Sequence, residues 1–292
     1  MPEFDKLIAH EGSFPVKVNY QASFAEMVRA SKQTRVHEMV TAEHFPIVSG
    51  PDDIVLSVHR QTVLESGSIE IIAALDMQGL RPARPAELLA FGAICTDTVL
   101  KYGLTMALDG LWSYKGYQTC LSFWTKPNEL VLIPSYCGVE GTTVVSAYGS
   151  VVYLAAPSET PPSMRTHTVG LAWFEWRDRA FLVRRLDKAF APSLPCFIGM
   201  HNGSLLISDE MPQRFHKFAL IHEITCNARL GQAGRCLEAT QEEIAMVPPP
   251  WRDEYIALRI GFYDPLLKTA LVNDELKSEI KASLEYLRRL SF

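Results

Sequence analysis

A chain of 292 residues with 48% hydrophobic side chains has enough apolar surface to bury a sizeable core, and its length suits two ordinary domains. A formal net charge of -5 leaves no basic excess for neutralising phosphates, so nucleic acid is not an expected partner. No apolar run reaches the roughly 18 residues of a membrane span, and the mixed, acidic start MPEFDKLIAHEG has no secretory-signal pattern. The sequence therefore predicts a soluble cytoplasmic protein with no membrane partner. Its six cysteines, Cys95, Cys120, Cys137, Cys196, Cys226 and Cys236, include no C-x-x-C pair and are expected as buried thiols.

In chain order, Val16–Tyr20 (VKVNY) alternates as a strand does. Ser23 with Glu26 three residues on then forms a capping box that opens a short helix. Ile54–His59 alternates again, and a helix is predicted from Ser68 to Gln78, stopped by Gly79. Pro85 suits the first turn of a helix carrying Leu88, Leu89 and Phe91, with Gly92 at its end. From Leu104 to Leu186, β-rich runs alternate with turn formers such as Asp109-Gly110, which reads as an antiparallel region. Phe197–Ile207 adds a hairpin signal, with Asn202-Gly203 suited to a type I′ turn. Beyond Met211 only helical periods remain, over 212–230, 235–247, 251–263 and 274–290, broken by the PPP at 248–250 and by Asp264-Pro265. The predicted fold is α+β: a mixed N-terminal region with short helices, a central antiparallel sheet and an all-helical C-terminal domain. The expected domains are 1–208 and 209–292.

The motifs FPVKVNY, EMVRA, TAEHFPI, GLRPARPAELLAFGA and FLVRRLDK, spread over about residues 14–188, resemble those of a family of uncharacterised bacterial proteins. That family carries an EMI-AG helix, a GLRPA turn leading into an ELLAFG helix, and a closing FLAVRK. The resemblance implies a bacterial protein and brings no activity with it. Arg81, Glu87 and Arg184, which lie in these motifs, read as structural ion-pair residues ahead of ligand contacts.

The stretch 219–248, ALIHEITCNARLGQAGRCLEATQEEIAMVP, is similar to the zinc metallopeptidases that cleave phage repressors, in which an HExxH helix precedes a second helix bearing a glutamate. In that pattern two ligands at i and i+4 share a metal on one helical face, the intervening glutamate activates water, and a carboxylate of the next helix completes the site. Carried onto this chain, the resemblance implies His222, Cys226 and Glu238 as metal ligands and Glu223 as general base, with cysteine where the family has its second histidine. At 100° per residue, Phe215, Phe218, Ala219, His222 and Cys226 share one broad face, which suits a buried ligand and a satisfied core histidine equally. On the next helix an apolar stripe of Leu237, Thr240, Ile244 and Val247 leaves Glu238 and Glu242 on a solvated face.

No G-x-S-x-G elbow, P-loop or G-x-G-x-x-G occurs, and the other histidines show no ligand spacing. Trp173 and Trp176 fall on opposite sides of one strand and read as packing residues ahead of a stacking platform. Two readings stand. The sequence favours a non-catalytic module that binds a protein or small-molecule partner without a cofactor, because no complete catalytic set is present. The alternative is a zinc-dependent hydrolase built on His222, Cys226, Glu238 and Glu223.

Overall fold

The computed structural model describes residues 6–63, 66–114, 117–127, 129–136, 150–192, 194, 196–201, 204–229, 232–269 and 273–291. Cys137 and the Asn202-Gly203 turn lie outside these residues. The chain divides into two compact units, Met1–Pro161 with Trp173–Phe181, and Pro162–Ala172 with Leu182–Phe292. The C-terminal helices thus share their unit with strand segments from upstream of the expected 208/209 boundary.

In the first unit the elements run β1 (Ile8–Lys17), α1 (Phe24–Ala30), β2 (Arg35–Val36), β3 (Asp53–Gln61), α2 (Ser68–Met77), β4 (Leu80–Pro82), α3 (Pro85–Ile94), α4 (Thr96–Val99), β5 (Leu104–Tyr114), β6 (Tyr117–Lys126), β7 (Glu129–Tyr136) and β8 (Val151–Pro157). The strands β1-β3-β8-β5-β6-β7 neighbour one another in that order. Pairing is antiparallel except that β8 runs parallel to β5 and β2 parallel to β7, so the sheet is mixed. Helix α1 has the expected capping box, with Ser23 and Glu26 bonded reciprocally. Asp109-Gly110 is no turn between strands: it lies inside β5 where the register with β6 shifts, and Gly110 takes the positive φ that the bulge demands. Nor does Gly92 end α3. A Cβ there would meet Phe123 at 2.5 Å, so the glycine lets the helix approach β6. Leu88, Leu89 and Phe91 of α3 pack with Leu56, Val58, Phe123 and Leu154 of the strands in one core.

Beneath that core sits Glu87, fully buried, taking bonds from Arg81 at 2.6 and 2.9 Å, from the Arg84 backbone at 2.8 Å and from the Tyr20 hydroxyl at 3.1 Å. Arg81 and Glu87 are therefore a structural pair, and Arg184 belongs to the other unit. The Trp173 indole donates to Ser68 at 3.2 Å, a packing role for that tryptophan.

The second unit holds α5 (Pro162–Thr166), parts of the hairpin β9 (Thr168–Trp176) and β10 (Arg179–Leu186), then β11 (Ile198–His201), β12 (Ser204–Ser208), α6 (Gln213–Ala228), α7 (Arg235–Met246), α8 (Pro249–Leu266) and α9 (Asp274–Leu290). β10 pairs in parallel with β12, which pairs antiparallel with β11. The four expected C-terminal helices all form. The prolines mark boundaries less sharply than expected: Pro249 and Pro250 begin α8, whose first-turn N–H groups need no intrahelical partner, and Pro265 lies in its last turn. Among the described residues no helix is long and apolar enough to cross a membrane.

Candidate metal centre

The C-terminal helices surround a buried group of polar side chains. On α6 the residues Phe215, Phe218, Ala219 and His222 are buried, as the helical phase predicts, and Cys226 follows one turn on, half-buried. On α7 the buried residues are Cys236, Ala239, Thr240, Glu243 and Ile244. Its inward stripe is thus centred one residue earlier than apolarity alone indicates, and Cys236 faces inward where Leu237 was expected.

That rotation assembles the site. One ligand atom each from His222, Cys226 and Cys236 lies within 4.8 Å of the others. The His222 Nε2 is 3.8 Å from the Cys236 sulfur, against a ligand-to-ligand edge of about 3.5 Å for a tetrahedral zinc with Zn–S of about 2.3 Å and Zn–N of about 2.0 Å. Two sulfurs and an imidazole are also the donor set that borderline-soft cations such as zinc prefer.

Behind the imidazole stands Glu243, whose Oε2 is 2.7 Å from His222 Nδ1. The pairing is one of charge, the carboxylate standing off the ring N–H axis. It turns Nδ1 toward Glu243 and leaves Nε2 for Cys236. Glu243 in turn accepts from the Tyr255 hydroxyl at 2.5 Å and pairs with Arg259 Nε at 2.8 Å. Arg259, wholly buried on α8, also donates to the Tyr263 hydroxyl at 2.6 Å, and that hydroxyl is 3.4 Å from His222 Nε2. A carboxylate behind a ligand histidine, itself held by further bonds, is the usual outer arrangement of metal-binding imidazoles.

The electrostatics follow from these contacts. Burial alone would lower the His222 pKa, but the Glu243 carboxylate outweighs both burial and Arg259 and raises it to about 9. The two cysteines share one proton: the hydrogen bond between them holds the Cys236 thiol well below its ordinary value and pushes Cys226 up, with His222 adding to the pull on Cys236. Cys236 also occupies the first turn of α7, where the helix dipole favours an anion. That helix start is capped from α9, because the Glu279 carboxylate accepts from the Gly234 and Cys236 backbone N–H groups at 2.6 and 3.3 Å.

The residues expected from the sequence divide. His222 and Cys226 come together. Glu238 does not join them: its side chain is 59% exposed and pairs with Arg229 at 3.0 Å, as the phase of α7 implied. Glu223 stands beside His222 on α6, half-buried, its carboxyl pushed up by desolvation against the pull of His222 and Arg259. Cys236 and Glu243 were missed. The signal that could have found them is their spacing with Thr240 at i, i+4 and i+7, a polar stripe on one face of α7. Of the other described cysteines, Cys120 and Cys196 are buried and Cys95 half-buried, all as free thiols.

Comparison of the chain with protein-family models, with curated proteins and with solved structures finds no match. The function is therefore read from the geometry of the site itself.

Proposed function

We propose that this protein is a metal-binding module whose C-terminal helices hold a zinc-class cation through His222, Cys226 and Cys236. The observation that carries the reading is the convergence of those three donors within 4.8 Å. The charge of Glu243 directly behind the imidazole supports it. A cation held there ties α6 to α7 and neutralises the thiolates, so metal binding and the packing of the helices are one equilibrium. The ligand of the binding module favoured by the sequence is, on this reading, the cation itself.

The test is metal analysis of protein purified without chelator. One zinc per chain is expected in the wild type and in Glu238→Gln, with zinc lost in His222→Gln and Cys236→Ser. Equal, negligible zinc in all four overturns the reading.

The carboxyl of Glu223, beside His222 and pushed up by desolvation, favours a second reading, a hydrolase using three protein ligands and an open fourth position. A metal there would lower the pKa of the water it holds, and on this reading Glu223 would accept the proton. Zinc-dependent cleavage of casein that is lost in Glu223→Gln while zinc is retained supports this reading; full zinc occupancy without hydrolysis rejects it.

A further inference from the structure

We propose that Cys226 and Cys236 join as a reversible disulfide when a peroxide oxidises them, so that the cation held with His222 is released on oxidation and taken back on reduction. The inference rests on the metal reading above and adds to it a means of regulation. Its basis is geometric. The two sulfurs come from two different helices, α6 and α7, yet lie within 4.8 Å of each other, so they already face one another across a short gap that closes to about 2.05 Å in a disulfide. Cys226 is half-buried while Cys236 is buried, so a small oxidant reaches the pair from the Cys226 side. Among the described residues no other cysteine belongs to the group, so the two have each other as the near resolving partner.

The chemistry balances with a hydroperoxide as oxidant. Holding a cation requires both cysteines as thiolates, so the proton they share in the metal-free pair has left the loaded chain. The Cys226 thiolate attacks one peroxide oxygen, an S–O bond forms, the O–O bond breaks and hydroxide leaves, giving a sulfenic acid. The Cys236 thiolate then attacks that sulfur; the S–S bond forms, the S–O bond breaks and a second hydroxide leaves. Two thiolates have lost two electrons in total, and hydrogen peroxide has become two hydroxides. The disulfide sulfurs are no longer anionic donors, and His222 is left as the single ligand of the set, which cannot hold the cation. A dithiol reductant reverses the change.

The experiment titrates the reduced, zinc-loaded full chain with hydrogen peroxide. Released zinc is read with a chromogenic chelator, and the cysteines are mapped by alkylation and peptide mass. The expected result is release of the bound zinc in step with a Cys226–Cys236 linked peptide, and rebinding after dithiothreitol. Zinc that leaves without that linked peptide, or a linked peptide that forms while zinc stays bound, overturns the inference and leaves the metal reading intact. A reduced protein that takes up no zinc overturns both.

Discussion

Glu243 Oε2 lies 2.7 Å from His222 Nδ1, while its other oxygen pairs with Arg259 Nε at 2.8 Å. One carboxylate thus balances a raised histidine and a wholly buried arginine. Breaking a buried pair from one side leaves an uncompensated charge, so Glu243→Gln is expected to cost about 3–5 kcal/mol in urea unfolding. The double variant Glu243→Leu with Arg259→Met removes both charges and should cost clearly less than the sum of its single changes. Additive losses would show that the two side chains are not coupled.

Metal removal should be visible as stability. A ligand at about 100 times its Kd adds about 2.7 kcal/mol to the folded state. Zinc is expected to raise the midpoint of thermal unfolding of the wild type and to leave Cys236→Ser unchanged, and excess EDTA should erase the difference. A zinc shift of equal size in both proteins would place the ion elsewhere.

In the first unit, burial, with the nearby His10 adding to it, lowers the pKa of His59 to about 4 from an ordinary 6.5. His59 is 1% exposed, and its Nδ1 has no hydrogen-bond partner among the described residues. Between pH 6.5 and about 4 the unfolded chain binds this proton and the folded chain does not. Stability therefore falls as pH falls across that window, by at most about 3–4 kcal/mol, and no further below it. Denaturant midpoints at pH 7 and pH 4.5 should drop less in His59→Asn than in the wild type; an equal drop would reject His59 as the source.

Gly92 of α3 faces Phe123 so closely that a Cβ would sit 2.6 Å or less from two ring carbons and 3.2 Å from the Ser31 carbonyl oxygen. Overpacking of a filled core costs typically about 1–3 kcal/mol, so Gly92→Ala should destabilise although alanine is the better helix former. A rise in the unfolding midpoint would contradict the close packing.

Where the sequence was legible, periodic apolarity carried the information. The inward phase of α6, the four C-terminal helices and the outward placing of Glu238 all follow from it, while the Ser23–Glu26 cap follows from the spacing of two polar residues. It misled where the buried face was polar. The stripe of α7 includes Cys236, Thr240 and Glu243, and a hydrophobic count assigns a glutamate to solvent by default. Glu243 can be buried because Arg259 and Tyr255 arrive from α8, and partners that distant in sequence leave no local trace. The same holds for Gly92, whose reason is a phenylalanine on β6, and for the mixed pairing of the sheet, which depends on strands far apart in the chain.

The carboxylate of Glu279 closes the start of α7, bonding the backbone of Cys236 itself. The last helix thereby holds a proposed ligand residue in place without supplying a donor. A chain shortened before Asn273 would keep His222, Cys226 and Cys236, yet its grip on zinc should weaken. If the proposed site holds zinc, the zinc content of the purified chain would then report whether its last helix is docked.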